Sequence, residues 1–160
     1  MLGEIWQTIQ IEFSDLPDAA GMTRITLRLL IAAMMGGLLG FEREQKGKAA
    51  GLRTHMLVAL GAALFVLVPQ QSGVSDDNLT RVLQGVVAGI GFLGAGTIIK
   101  GTNEDQVKGL TTAAGIWLTA AIGVAAGMGR EATAVLSTFL AVVILATVPR
   151  FVRIFERREK

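Results

Sequence analysis

An all-α membrane protein with five transmembrane helices is the fold class this sequence predicts, and three observations carry it. First, the stretches 29–41, 56–75, 82–99, 109–129 and 132–149 contain no Asp, Glu, Lys, Arg or His. Second, charged residues make up 18% of the 160-residue chain, below the ~25% of a soluble domain, and all of them fall between or outside those stretches. Third, basic residues are unevenly shared. Eleven of the fifteen Lys and Arg fall in 42–55, 100–108 and the C-terminal tail, while Arg24, Arg28, Arg81 and Arg130 fall in the alternate segments. Lys and Arg stay on the cytoplasmic side of a membrane, so the N-terminus is expected outside and the C-terminus inside. The acidic residues divide seven to six, so the bias belongs to Lys and Arg. The +2 net charge is then a matter of orientation and not of nucleic-acid binding. Without Cys the chain is no disulfide scaffold.

Three regions follow: an N-terminal periplasmic or interfacial segment (1–24), a five-helix transmembrane domain (25–149) and a basic cytoplasmic tail (150–160). Glu4, Glu12, Asp15 and Asp18, with no basic start, argue against a cleavable signal peptide. Ile5, Trp6, Ile9 and Phe13 recur at helical spacing, as in an amphipathic helix lying on the outer membrane surface; a frayed terminus is the alternative. The first span reaches membrane length only if it starts near Arg24, which puts Arg28 about one turn inside, where it would snorkel. The second is expected to end at Pro69, short for a span, with a re-entrant helix as the alternative. Asp76-Asp77-Asn78 would cap the third, in which Gln84 would hydrogen-bond a neighbouring helix. Thr111 and Thr112 open the fourth after Lys108-Gly109. The fifth, rich in Val, Leu, Ile and Ala, is expected to face lipid.

Small residues let helix backbones approach closely in a membrane. Gly85, Gly89 and Gly96 share one side of the third helix; Gly115, Gly123 and Gly127 share an arc of the fourth. Helices three and four are therefore expected to form the packed centre. Gly36-x3-Gly40, Gly85-x3-Gly89 and Gly123-x3-Gly127 fit pairing within one chain or between two copies of a homodimer.

Polar residues concentrate on the side assigned as cytoplasmic. Glu42-Arg43-Glu44 ends the first helix, where carboxylates oppose the helix dipole at ~0.3–1 kcal/mol each. Either Glu42–Lys46 and Glu44–Lys48 pairs on a solvated helix end account for them, or a specific partner does: Arg53, His55, Lys100 or Lys108. Thr54 is a candidate cap for the second helix. His55, the one histidine, is an interfacial anchor or a proton relay. Gly89-Ile90-Gly91-Phe92-Leu93-Gly94 matches a dinucleotide fingerprint in letters only, since no strand precedes it. No nucleophile–base pair, second His or Walker motif is present, so an enzyme is not expected. No cofactor is implied; a metal here would be a hard cation such as Mg²⁺ on carboxylates.

Gly40-Phe41-Glu42-Arg43-Glu44 followed by Ala50-Gly51-Leu52-Arg53-Thr54-His55-Met56-Leu57-Val58 resembles the MgtC/SapB family of bacterial inner-membrane proteins. So do the segments 84–96 and Val107-Lys108-Gly109-Leu110-Thr111-Thr112-Ala113-Ala114-Gly115-Ile116-Trp117. The resemblance covers roughly 29–129. It implies a five-helix membrane domain and a role in adaptation to low magnesium and, in pathogens, survival inside phagocytes. It also implies regulation of membrane energetics, including restraint of the proton-driven ATP synthase. Longer members add a cytoplasmic ACT-like domain, whereas this sequence stops at Lys160, as in a shorter SapB-like branch or a truncated chain. The expectation is a non-enzymatic regulator that binds another membrane complex through Glu42, Arg43, Glu44, Arg53, Thr54, His55, Lys100, Thr111 and Thr112. The alternative is a Mg²⁺ or proton pathway lined by helices three and four.

Overall fold

Small residues decide which helices meet. The computed structural model describes residues 1–14, 18–100 and 107–156. Its helices are α1 (Leu2–Glu12), α2 (Ala19–Gln45), α3 (Leu52–Gln71), α4 (Asp76–Ala95), α5 (Leu110–Gly127) and α6 (Glu131–Glu156). Between α4 and α5, β1 (Ile99–Lys100) and β2 (Val107–Lys108) form a short antiparallel ladder, with Ile99 opposite Lys108. Gly109, at φ +97°, turns the chain from β2 into α5 against the Thr97 carbonyl, where a side chain would be strained.

α3 is the central helix, with a glycine seam on each side. A methyl group on Gly36 of α2 would stand 2.8 Å from Ala59 Cβ, and one on Gly40 would stand 2.7 Å from Leu52 Cα. Across α3, a methyl group on Gly123 of α5 would meet the Ala59 backbone, and one on Gly127 would stand 2.8 Å from Ala63 Cα. Ala59 and Ala63 are fully buried. The core that continues from them is built largely of alanine: Ala32, Ala126, Ala134 and Ala141, with Leu39 and Ile122. Where lipid tails are as apolar as the side chains, this backbone-to-backbone van der Waals contact holds helices together.

The packed centre is thus α2, α3 and α5, whereas helices three and four of the sequence reading correspond to α4 and α5. Within one chain, the expectation that α4 belongs to the packed centre is not met. Gly85, Gly89 and Gly91 have nothing within 4 Å of an added methyl group, and Gly96 meets only carbonyls of Phe92 and Leu93. On α4 only Leu79 and Gly94 are buried. Gln84 is exposed on this helix. Periodicity brought the α4 glycines to one side, but a small face is only an opportunity for packing. Gly115 makes only ordinary contact, 3.6 Å from His55 Nε2.

Among the described residues four helices, α2, α3, α5 and 131–149 of α6, are long and apolar enough to cross a membrane. α4 has 20 residues, but Asp76, Asp77 and Arg81 and its glycines dilute its apolar character. Several boundaries also move. α2 begins at Ala19, before Arg24, because the Asp18 side chain accepts a hydrogen bond from Gly21 N–H at 2.6 Å. α3 starts at Leu52 and runs through Pro69 to Gln71, so it is a full 20 residues. A proline so close to a helix end forfeits little of the hydrogen-bond ladder. The cap position of α4 is Ser75, with Asp76 and Asp77 in the first turn. α6 passes Pro149 and extends into the expected tail; residues 157–160 lie outside the described residues. α1 buries none of its residues, and Trp6 and Phe13 are exposed.

Gly123→Leu is expected to destabilise the detergent-solubilised protein by more than the ~1–3 kcal/mol typical of overpacking, because the obstacle is backbone. Gly85→Leu is expected to melt near the native temperature. Thermal unfolding of the two variants side by side checks the seam assignment.

Candidate functional site

The connection from α2 to α3 builds the polar end of the bundle. α2 closes with a Schellman motif: Lys48 N–H donates to Arg43 O at 3.0 Å and Gly47 N–H to Glu44 O at 3.0 Å, with Gly47 at φ +61°. This sharp reversal returns the chain within reach of the helix it has just left. Glu44 Oε2 then accepts a hydrogen bond from Leu52 N–H at 2.7 Å. A carboxylate that is misplaced at the C-terminus of α2 is well placed at the N-terminus of α3, where the dipole favours negative charge. The partner sought among basic side chains is a backbone N–H. Thr54 is accordingly not the cap of α3; Gly51 occupies that position, and Thr54 lies half-buried in the first turn.

Glu42 and Arg43 pair with each other. Glu42 Oε2 accepts from Arg43 Nε and lies against Nη2, with both side chains largely withdrawn from solvent. Glu42–Lys46 and Glu44–Lys48 ion pairs do not occur among the described residues. Glu42 Oε1 is buried without a hydrogen-bond partner.

His55 is fully buried. Its Nδ1–H donates to Gly51 O at 2.9 Å, because a carbonyl can only accept. In the neutral ring this leaves Nε2 as the acceptor, and Nε2 has no partner. His55 lines a cavity of about 220 Å³ together with Leu39, Thr111, Gly115 and Leu118, closed by Ala141, Ile144 and Leu145 of α6. Thr112 is buried, and Thr119 Oγ1 donates to Gly115 O at 2.8 Å. Arg53 and Lys108 are exposed. The Lys100 side chain lies outside the described residues. Glu42, Arg43, Glu44, His55 and Thr111 therefore gather at one end, where Arg53 is exposed to solvent. No three His, Asp or Glu side chains come together as a metal site among the described residues.

At the opposite end, Arg28 is engaged rather than snorkelling freely. Its Nη1 donates to Gly127 O at 3.1 Å, and Nε lies 3.7 Å from Glu131 Oε1. A cation thus sits at the C-terminus of α5 and an anion in the first turn of α6, both as the helix dipoles favour. The sequence reading also missed Lys46 and Lys48 as cavity-lining residues. They border a second cavity with Arg43 and Thr111, and only the turn at Gly47 brings them there.

The chain matches the MgtC family over residues 29–154. It is 43% identical over 141 residues to SrpB of Synechococcus elongatus, covering 81% of this chain and 78% of that protein. It is 40% identical over 127 residues to YhiD of Escherichia coli, named as a candidate magnesium transporter, covering 74% of this chain and 58% of the relative. It is 46% identical over 126 residues to MgtC of Brucella abortus, covering 78% and 51%. The chain thus spans little more than half the length of the last two. No solved structure matches.

Glu44→Ala is expected to cost ~0.5–2 kcal/mol, the range for loss of a helix cap, and to speed amide exchange selectively in the first turn of α3. Hydrogen-exchange mass spectrometry of residues 52–55 checks it, with the α5–α6 end as internal control.

Proposed function

The chain belongs to the MgtC family, a family of multi-pass inner-membrane proteins, and on that premise we propose that it is a non-catalytic regulator acting on another membrane complex. Its working face is the end that carries Glu42, Arg43, Glu44, Arg53, Thr54, His55, Lys100, Thr111 and Thr112. The proton-driven ATP synthase is the candidate complex, low magnesium the condition, and a homodimer the candidate assembly. In this reading α4 is a fifth span, α1 lies on the outer surface, and the polar end faces the cytoplasm.

The supporting observation is the contrast between close-packed α2–α3–α5 seams and a polar end. Ala59 is enclosed between Gly36 and Gly123 with backbone in contact on both sides. No Asp or Glu falls within the central turns of α2, α3 or α5, where coupled carriers place one. At the polar end, by contrast, a buried Glu–Arg pair and a buried histidine each keep one unpartnered atom. A second reading, a Mg²⁺ or proton pathway, draws on the transporter name carried by YhiD.

In a strain that depends on this protein for growth at low magnesium, Glu42→Ala and Arg53→Ala are expected to abolish growth while membrane levels of the protein remain native. Full growth with both variants would remove this face from consideration. Proteoliposomes followed separately for Mg²⁺ and H⁺ are expected to show no flux above empty vesicles; flux that disappears in Glu42→Gln would establish the pathway instead.

A further inference from the structure

At the polar end, outside the His55 cavity, lies a second cavity of about 360 Å³. Arg43 of α2 and Lys46 and Lys48 of the following turn border it, with Thr111 from α5. The remaining wall is apolar and comes from α6, including Ile144, Val148 and Pro149. Two lysines and the Glu42-paired Arg43 therefore border one cavity with an apolar helix and the Thr111 hydroxyl. Among the described residues no carboxylate lines this cavity; Glu42 is turned to Arg43, and Glu44 to the α3 backbone.

Position decides what such a cavity receives. The apolar stretch of α6 ends at Pro149, so the Val148–Pro149 wall lies where hydrocarbon gives way to the headgroup layer. Lys46 and Lys48 are exposed on the turn beyond the end of α2. Ile144 is also more than half exposed, giving the cavity an apolar side open toward lipid. We infer that this cavity is a binding site for an anionic phospholipid, its phosphate held by Lys46 and Lys48 with the buried Arg43 behind them, and an acyl chain laid along Ile144 and Val148 of α6. Basic pockets between membrane helices attract anionic headgroups, each Lys or Arg near the surface adding attraction. The apolar wall is the second half of the match, because a soluble anion would leave it without an occupant. The inference goes beyond the regulatory reading and does not depend on which complex the protein meets.

The test uses the full chain purified in an uncharged detergent, with thermal stability and lipid retention in native mass spectrometry as readouts. Phosphatidylglycerol, phosphatidylcholine of the same acyl chains, and inorganic phosphate are added separately. Phosphatidylglycerol is expected to raise the melting temperature and remain bound, with phosphatidylcholine and phosphate doing neither. The double variant Lys46→Gln/Lys48→Gln, both exposed positions, is expected to bind phosphatidylglycerol roughly thirtyfold more weakly while melting normally without lipid. Val148→Trp, which fills the apolar side, is expected to reduce retention without removing a charge. Arg81→Gln, on α4 outside the cavity, is expected to retain native affinity. Equal stabilisation by the two lipids would overturn the proposal. So would native affinity in the double lysine variant, and so would phosphate matching phosphatidylglycerol, which would make the site one for a soluble anion.

Discussion

Everything in this bundle depends on α3 being touched on both sides at backbone distance. Ala59 is fully buried between Gly36 of α2 and Gly123 of α5, and four residues on, Ala63 meets Gly127. In water, helices of this kind would be driven together by burial of large side chains. In lipid that drive is absent, and close approach takes its place. The cost is low tolerance: the seams leave no room for a methyl group without displacing backbone. The benefit is a rigid three-helix frame that holds the helix ends, and hence the polar groups on them, in fixed register.

That register turns an apparent electrostatic mistake into a cap. Gly40 lies against Leu52 and Gly51, so the end of α2 and the start of α3 are neighbours, and Glu44 reaches Leu52 N–H. The helix that carries the carboxylate is disfavoured by it and the helix that receives it is favoured. Arg28 does the complementary service at the other end, with a cation against Gly127 O and Glu131. Glu44 and Arg28 are thus matched to the ends of neighbouring helices.

The membrane class was legible because it rests on composition over long windows, and the charge-free stretches coincide with helical segments. Glu42 and Glu44 were legible as anomalous, since an acidic helix C-terminus contradicts a local rule. The partner of Glu44 was not, because reaching Leu52 N–H requires the reversal at Gly47, a tertiary consequence of one positive φ. The α4 glycines misled for a related reason. Spacing shows which residues share a side of a helix, but whether another helix occupies that side depends on where the rest of the chain goes. The length of α3 was hidden by Pro69, whose effect depends on how near it lies to the helix end.

The seams also impose an order on biogenesis. α2 and α3 are consecutive and carry complementary surfaces, so they form a hairpin that is complete once Gln71 has left the ribosome. α4 comes next and brings no glycine seam of its own; Gly85 and Gly89 still face open space in the finished fold. The surface of α3 at Ala59 and Ala63 finds its occupant only in α5, which is synthesised after α4. The chain skips a neighbour to reach its destination, and the seam on that side of α3 is complete only when Gly123 and Gly127 arrive.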